Sequence, residues 1–454
     1  MPKPLVYVLV INWNGREHLA DCFDSLLAGT YRNCRFVLVD NNSSDDSIAF
    51  VKGGYDDPRI EVLPLPENIG WSEGNNRGIE RALDAGADYV FLLNNDTSTA
   101  PDAIEKLVSA AEAKPECGAL APKMVLFSAP HLLNSLGIEC SIIGSSWDIG
   151  VGRLDGPKWN VPRKVLGVCG GAMFLRCATL RRAGLLPDFQ IYLDDLDLCL
   201  RIWNAGFEIW NCPEAVVRHK FSATMGTGKR LRQKYYLNTR NRMRVVMRNF
   251  PATQMHRVIP RMLLGEAKSV GRGFLDGDHW KLWAHAKSWG SSLAYLPEAW
   301  RARKQYGASA RFWEQVKRNT LFFRGVELPE NGWYAEREVR GEAVRPMSKS
   351  ATMDWKGGQL RITLVNCYSS LGEAEVEVFA GGQVIARLAT ARRTEEVVTA
   401  PQGPVEFRAK RIFDADDTGE LCDYGGWMRL EPLDDARCCV YTDEPEIGKA
   451  HGRI

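Results

Sequence analysis

Short apolar runs, each ending in a cluster of amides, carboxylates or hydroxyls, recur through the first part of the chain. Leu5 to Ile11 leads into Asn12-Trp13-Asn14-Gly15, and Phe36 to Val39 into Asp40-Asn41-Asn42-Ser43-Ser44. Val90 to Leu93 leads into Asn94-Asn95-Asp96-Thr97. Apolar runs this short predict strands covered on both faces, as in a parallel sheet. Between them Leu19, Cys22, Phe23, Leu26 and Leu27 recur at helical spacing, and Ser44 is expected to cap a short helix through Val51. Ile60 to Leu63 reads as a third strand. The glycine- and amide-rich stretch Glu67 to Gly78, with Asn68, Gly70 and Asn75, opens a helix to about Ala85. A helix from about Asp102 to Ala113, an apolar run from Ala119 to Leu126 and a strand from Val168 to Leu175 follow. The alternation means βαβ units and a mostly parallel sheet, whose ligand site lies beyond the carboxyl ends of its strands.

Ser128 to Arg163 has weak periodicity and reads as an irregular insertion. Leu196, Cys199, Leu200 and Trp203 then mark one face of a helix ending at Gly206. Asp194 and Asp195 fall at its N-terminus, where the macrodipole favours ionised carboxylates, and Asp197 and Arg201 are spaced to pair on its polar face. Capping and a surface ion pair account for one acid. Three in four positions repel one another, a cost better explained by a cation or a proton-transfer duty. His219 stands at the end of another apolar run, open to a structural role or to metal or phosphate contact. Gly170 and Gly171 leave room beside the strand that contains them.

The remainder changes character twice. From Arg218 to Arg248 basic residues accumulate without an acid, and from Ala252 to Arg324 the pattern is helical, with Trp280, Trp283, Trp289, Trp300 and Trp313. A solvated basic helix with packed tryptophans is one reading, and a surface for anionic lipid headgroups is the other. After Glu327, Pro329 to Tyr334 reads as a linker into short alternating runs, with Gly381-Gly382 as a hairpin signal, predicting a small β-sandwich. The expected divisions are therefore residues 1–250, 251–326 and 327–454. With 454 residues, 45% hydrophobic and a net charge of +2, the chain is globular and no dedicated nucleic-acid binder. Its 12 cysteines include no C-x-x-C pair, which argues for reduced buried thiols over a disulfide framework or a zinc site. No stretch approaches the ~20 apolar residues of a membrane span, and Met1 to Pro4 leads straight into a strand without a signal sequence, so the expected location is cytoplasmic, with peripheral membrane contact open.

These stretches, from Val10-Ile11-Asn12-Trp13-Asn14-Gly15 through Leu92 to Thr97, Gly170 to Phe174, Tyr192 to Arg201 and His219, resemble glycosyltransferase family 2 in the family's order over about residues 5–250. The resemblance is to inverting enzymes of the GT-A fold, especially the bacterial rhamnosyltransferase-like branch. It implies an α/β GT-A nucleotide-sugar-binding domain, here followed by the helical segment and the β-sandwich. It further implies a nucleotide-sugar donor contacted by Asn12, Asn14, Asp40, Asn68, Gly70, Asn75, Asn94 and Asn95, with Asp40 near base and ribose. Asn94-Asn95-Asp96 stands at the D-x-D-like position, so the resemblance gives Asp96 and His219 to a divalent metal, Mg²⁺ or Mn²⁺. Asp195, with Asp194 beside it, matches the general base, while Gly170, Gly171, Asp197 and Arg201 would face acceptor or donor sugar. Asn94 for the first Asp and Asp194 for the commoner Glu depart from the family. The acceptor implied is a saccharide or lipid-linked saccharide of bacterial surface polysaccharide synthesis, and the donor dTDP-rhamnose. A UDP-hexose transferase, a catalytically silent glycan- or nucleotide-binding module and a nucleotidyltransferase stand as alternatives. The last would release pyrophosphate in place of a nucleoside diphosphate.

Overall fold

The computed structural model of the chain describes residues 3–220, 229–275, 277–307, 311–317, 337–339, 342–365, 373–391, 393–410 and 426–432. The chain falls into two compact units, residues 1–151 with 155–324, and residues 152–154 with 325–454.

The first unit is built on one large sheet. Its strands lie in the order Ile60–Pro64, Cys34–Asp40, Val6–Asn12, Tyr89–Asn94, Ala172–Arg176, Cys117–Leu126, Glu208–His219 and Thr97–Thr99. The first four are mutually parallel, Ala172–Arg176 runs against both neighbours, and Cys117–Leu126 and Glu208–His219 are parallel to each other. Because strand side chains alternate, Val6, Val8 and Val10 pack with Leu19, Phe23 and Leu107 on one face. Tyr7, Leu9 and Ile11 pack with Ile79, Leu196 and Leu200 on the other. Each such fully buried side chain is worth roughly 1.5–3 kcal/mol of transfer from water, which is why these runs carry no polar residue until the strand ends.

Register sets the site. Asn12 lies beside Asp40, and Ile11 beside Asn94, so three polar strand ends emerge at one level. His219 pairs with Thr97, which brings it next to Asp96.

Three local expectations need correction. The helix after the second strand begins at Ser47 with Asp46 at its cap and no side-chain cap bond. Ser44 instead sends its hydroxyl to Asn14 Oδ1 (3.2 Å). The strand expected from Val168 begins only at Ala172, because the chain turns there, Ala172 N donating to the Cys169 carbonyl. The stretch 128–163 is less irregular than its periodicity suggests: Leu133–Ser135 joins the large sheet, and Ile138–Cys140 pairs with Ser146–Asp148.

The helices Lys229–Asn249, Met255–Leu275, Trp280–Ala294 and Leu296–Tyr306 complete this unit. Arg303 fastens the last of these to the first by donating to the Met247 and Phe250 carbonyls (both 2.9 Å). In the second unit, two antiparallel sheets share one core that includes Trp355, Ile362, Val376, Leu388 and Phe407, which gives the expected sandwich. Gly381-Gly382 joins Ala374–Ala380 to Gln383–Thr390. The linker Pro329 to Tyr334 and the pair Cys438-Cys439 lie outside the described residues.

Candidate active site

The site begins with a lattice of amides at the strand ends. Asp40 accepts from Asn12 Nδ2 (3.0 Å) and, at its two oxygens, from the Ser43 hydroxyl (2.6 Å) and amide (2.9 Å). Asn95 Nδ2 donates to Asn12 Oδ1 (2.6 Å), tying the fourth strand's end to the first. Asn14 adopts a left-handed conformation (φ 50°) and its Oδ1 accepts the Ser44 amide at 2.7 Å. Asn41 bridges to the next loop, donating to Asn68 Oδ1 and the Gly70 carbonyl. Gly70 (φ 88°) then opens the helix Trp71–Asp84, and the Trp71 amide donates to the Gln190 carbonyl at 3.0 Å. A β-carbon on Gly70 would sit 3.2 Å from that same carbonyl. Asn75 is not brought to the pocket surface. It is fully buried and its amide donates to the Trp71 carbonyl one turn back, which corrects the nucleotide-contact expectation for it.

Asp96 and His219 meet at the far side. His219 Nε2 lies 3.2 Å from Asp96 Oδ1, while His219 Nδ1 is 2.7 Å from Asn134 Oδ1. Burial works against the Asp96 carboxylate, but His219 outweighs it and holds the pKa below the ordinary value. Apart from that contact, Asp96 Oδ1 is a buried atom without a hydrogen-bond partner among the described residues. A buried carboxylate oxygen whose one polar neighbour is a ring nitrogen fits a divalent cation, since two ligands about 2.1 Å from one ion stand about 3 Å apart. Among the described residues no group of three or more His, Cys, Asp or Glu stands together as a metal cage.

Asp194 and Asp195 open the helix Asp194–Asn204, as its sequence predicts. Their environments differ. Asp194 is buried and takes the Ser72 hydroxyl, whereas Asp195 is half-buried and accepts the Gly170 amide (2.9 Å). Burial and the Asp195 charge push Asp194 up to about 7, and burial raises Asp195 as well, against the Gly170 and Leu196 amides. A β-carbon on Gly170 would come within 2.8 Å of the Trp71 ring, and Trp71 Nε1 in turn donates to Asn94 Oδ1 (3.1 Å). Gly171 lies against Asn94 and His219. Thus Asn94, Trp71, Gly170, Asp195, Gly171 and His219 form one continuous wall.

Asp197 and Arg201 do not belong to it. The predicted pair exists, Arg201 Nε to Asp197 Oδ2 at 2.8 Å, but both residues are buried at 1% exposure or less. Arg248 and Asn249 take the other carboxylate oxygen, and burial's effect on the Asp197 pKa is outweighed by Arg248 and Arg201, which hold it low. The sugar-facing expectation for Asp197 and Arg201 is corrected: they join two helices.

Two residues escape a reading of the sequence. Asp148, at the end of its short strand, has a buried Oδ1 without a partner among the described residues. Burial pushes its pKa up to about 6, opposed by Ser135 and reinforced by the Asp195 charge, which puts a third carboxylate in the field of the pair. Asn241 sends its amide to the Phe189, Ile191 and Tyr192 carbonyls (3.2, 2.9 and 2.9 Å). Gln190, Tyr192 and Leu193 all have positive φ, a strained run of non-glycine residues that such pinning sustains. In sequence Asn241 is one of four amides in a cation-rich helix, and nothing there singles it out.

Comparison with known proteins identifies the family. The family model "Glycosyl transferase family 2" matches residues 7–128, and "Glycosyl transferase family group 2" matches residues 89–296. The N-acetylglucosaminyl-diphospho-decaprenol L-rhamnosyltransferase of Mycobacterium tuberculosis is 27% identical over 241 residues, 48% of this chain and 76% of that protein. The putative teichuronic acid biosynthesis glycosyltransferase TuaG of Bacillus subtilis is 32% identical over 106 residues, 23% of this chain and 40% of that one. A mannosyltransferase from Pyrobaculum calidifontis, solved with GDP-Man and Mn²⁺, superposes with a TM-score of 0.41 and 15% identity over 69% of this chain and 89% of its own. Family matches that run from the first strand through the helices, over a sheet whose polar ends converge on one pocket, make this chain a glycosyltransferase of family 2.

Proposed function

We propose that the chain transfers a sugar with inversion from a nucleotide-sugar donor, dTDP-rhamnose, to a lipid-linked saccharide in surface polysaccharide synthesis. The observation that carries this reading is the half-buried Asp195, held by the Gly170 amide on the same wall as Asp96 and His219. The rhamnosyltransferase relative, whose name includes a diphospho-lipid acceptor, supports the choice of sugar and acceptor. The amide lattice of Asn12, Asn14, Asp40, Asn68, Asn94 and Asn95 receives the nucleotide. Asp195 takes the proton of an acceptor hydroxyl as its oxygen attacks the anomeric carbon. The bond from that carbon to the diphosphate breaks on the opposite side, and the nucleoside diphosphate leaves with the electron pair. Asp96 and His219 would hold the divalent cation, which when bound neutralises charge on the leaving diphosphate. No helix among the described residues is long and apolar enough to cross a membrane, so a lipid-linked acceptor would be met at a membrane surface.

Calorimetric titration with dTDP, UDP and GDP, with and without Mg²⁺ or Mn²⁺, tests the reading. The expected result is metal-dependent dTDP binding, at least tenfold weaker in Asp96→Ala. A preference for UDP would redirect the donor to a UDP-hexose. No nucleotide binding by folded protein would leave a silent module.

Transfer should also depend on pH in a defined direction. The base works only when ionised, so the pH profile of kcat should rise through a midpoint above the ordinary carboxylate range, set by the Asp194–Asp195 pair together. Stability moves the other way. Folded-state pKa values raised above the unfolded one mean that the folded chain binds more protons, so this pair's contribution falls as pH rises from about 4 to about 7. A kcat profile flat across that interval would remove the pair from proton transfer.

A further inference from the structure

A cavity of ≈ 400 Å³ opens beside the catalytic loop, and the mechanism does not use it. Gln190, Arg232, Tyr236, Leu237, Trp283 and Lys287 are among its lining residues. Gln190 belongs to the strained run that precedes Asp194 and Asp195, and its carbonyl accepts the Trp71 amide, so one lining residue of the cavity also touches the site. Arg232 and Lys287 are exposed and make no ion pair among the described residues; they rest on aromatic rings, Arg232 5.6 Å from Trp280 and Lys287 4.7 Å from Tyr236. The helix carrying Arg232 contains no acid at all.

Large exposed hydrophobic side chains of the described residues concentrate on the helices that follow. Leu264, Phe274, Leu275, Leu282, Trp283 and Trp300 are each more than half exposed, all on the helices between Met255 and Tyr306. Residues 255–306 also carry nine Lys and Arg against four Asp and Glu, and three of those acids are already engaged, Glu266 with Arg242, Asp278 with Lys281 and Glu298 with Arg301. Exposed Trp and Leu set among cations in excess of acids fit an anionic lipid surface, where apolar side chains enter the acyl boundary and cations meet phosphate. A protein partner would have to cover the same cations with carboxylates.

We propose that the cavity walled by Arg232, Tyr236, Trp283 and Lys287 seats the phosphate-bearing headgroup of a membrane-resident lipid acceptor, with the exposed face of the helices 255–306 lying in the bilayer surface. This rests on the transferase reading above and adds the acceptor's anchoring end to it. The two cations take the diphosphate, Trp283 lies at the boundary between headgroup and chain, and the shared Gln190 keeps the lipid-borne sugar near Asp195.

The test is co-sedimentation of the full chain with phosphatidylcholine vesicles, plain or carrying geranylgeranyl diphosphate, with inorganic pyrophosphate as competitor. The chain should pellet with the diphosphate-bearing vesicles and much less with plain ones. The double variant R232E/K287E should bind about thirtyfold more weakly. Trp283→Ser should also weaken binding while retaining the circular dichroism of the unaltered chain. Equal pelleting on both vesicles, or on neither, overturns the proposal. So does pyrophosphate that binds as tightly as the lipid, since it would mark a site for free phosphate. Nucleotide titration of the unaltered chain keeps the two ideas apart. Nucleotide binding without vesicle binding removes only this proposal, and vesicle binding without nucleotide binding removes only the donor reading.

Discussion

Asp195→Asn is expected to bind nucleotide as the unaltered chain does and to lose transfer by about 10²–10⁴-fold in kcat. Asn is nearly isosteric and still accepts the Gly170 amide, so the wall built on Trp71 and Asn94 keeps its shape. What disappears is the proton acceptor. The neighbouring Asp194 cannot replace it, because it is buried against the Ser72 hydroxyl and faces away from solvent. The discriminating pair of measurements is calorimetric nucleotide affinity and single-turnover transfer on the same preparation. A variant that turns over within a factor of a few of the unaltered chain would take the base role from Asp195. A variant that loses both nucleotide binding and turnover would make Asp195 structural.

The second large effect is on stability. Asp197→Ala should cost about 3–5 kcal/mol, because it leaves two buried guanidinium groups, Arg201 and Arg248, facing a hole where their carboxylate had been. For a unit of this size that is a fall of roughly 5–8 °C in Tm. Arg201 keeps bonds to the Ala183 and Leu185 carbonyls and Arg248 keeps one to Tyr295, so the fold survives weakened. The sign with pH follows from the low folded-state pKa of Asp197. Its contribution is present above the unfolded carboxylate pKa and is lost as pH falls through the folded one. Thermal melts at neutral and acid pH read both. A loss below ~1 kcal/mol at neutral pH would mean that the two arginines find other partners.

Asp197 also marks where sequence reasoning stops. Its spacing from Arg201 is local, and the pair could be named from four residues of separation. That the pair is buried depends on Arg248 and Asn249, which arrive from more than fifty positions away. The same division runs through the site. The apolar runs of Leu5 to Ile11 and Val90 to Leu93 announce covered strands, and parallel pairing then carries their polar ends to one level without further information. Gly170 is different: it lies in a turn closed by the Ala172 amide on the Cys169 carbonyl, with the Trp71 ring where a β-carbon would be, so a strand extrapolated from Val168 overruns by four residues. Asp148 and Asn241 are single polar residues in stretches without a usable period. Only the folding of residues 128–163 against Cys169, and of the helix Lys229–Asn249 against the loop 189–193, gives them a role.

The helix Lys229–Asn249 bears on how the enzyme could be rebuilt. Every residue assigned to the nucleotide lies between Asn12 and Asn95, on strands that end before the Ala172–Arg176 strand begins. The loop 189–193, which leads into Asp194 and Asp195, and the cavity beside it are instead held by one helix, with Asn241 gripping the loop and Arg232 lining the cavity. On the proposed reading, donor preference should travel with the chain up to about Leu126, and a chimera exchanged there should bind the nucleotide of its N-terminal parent. Acceptor preference should not travel in the same way: a graft that divides the loop 189–193 from the helix Lys229–Asn249 removes the Asn241 bonds that hold that loop.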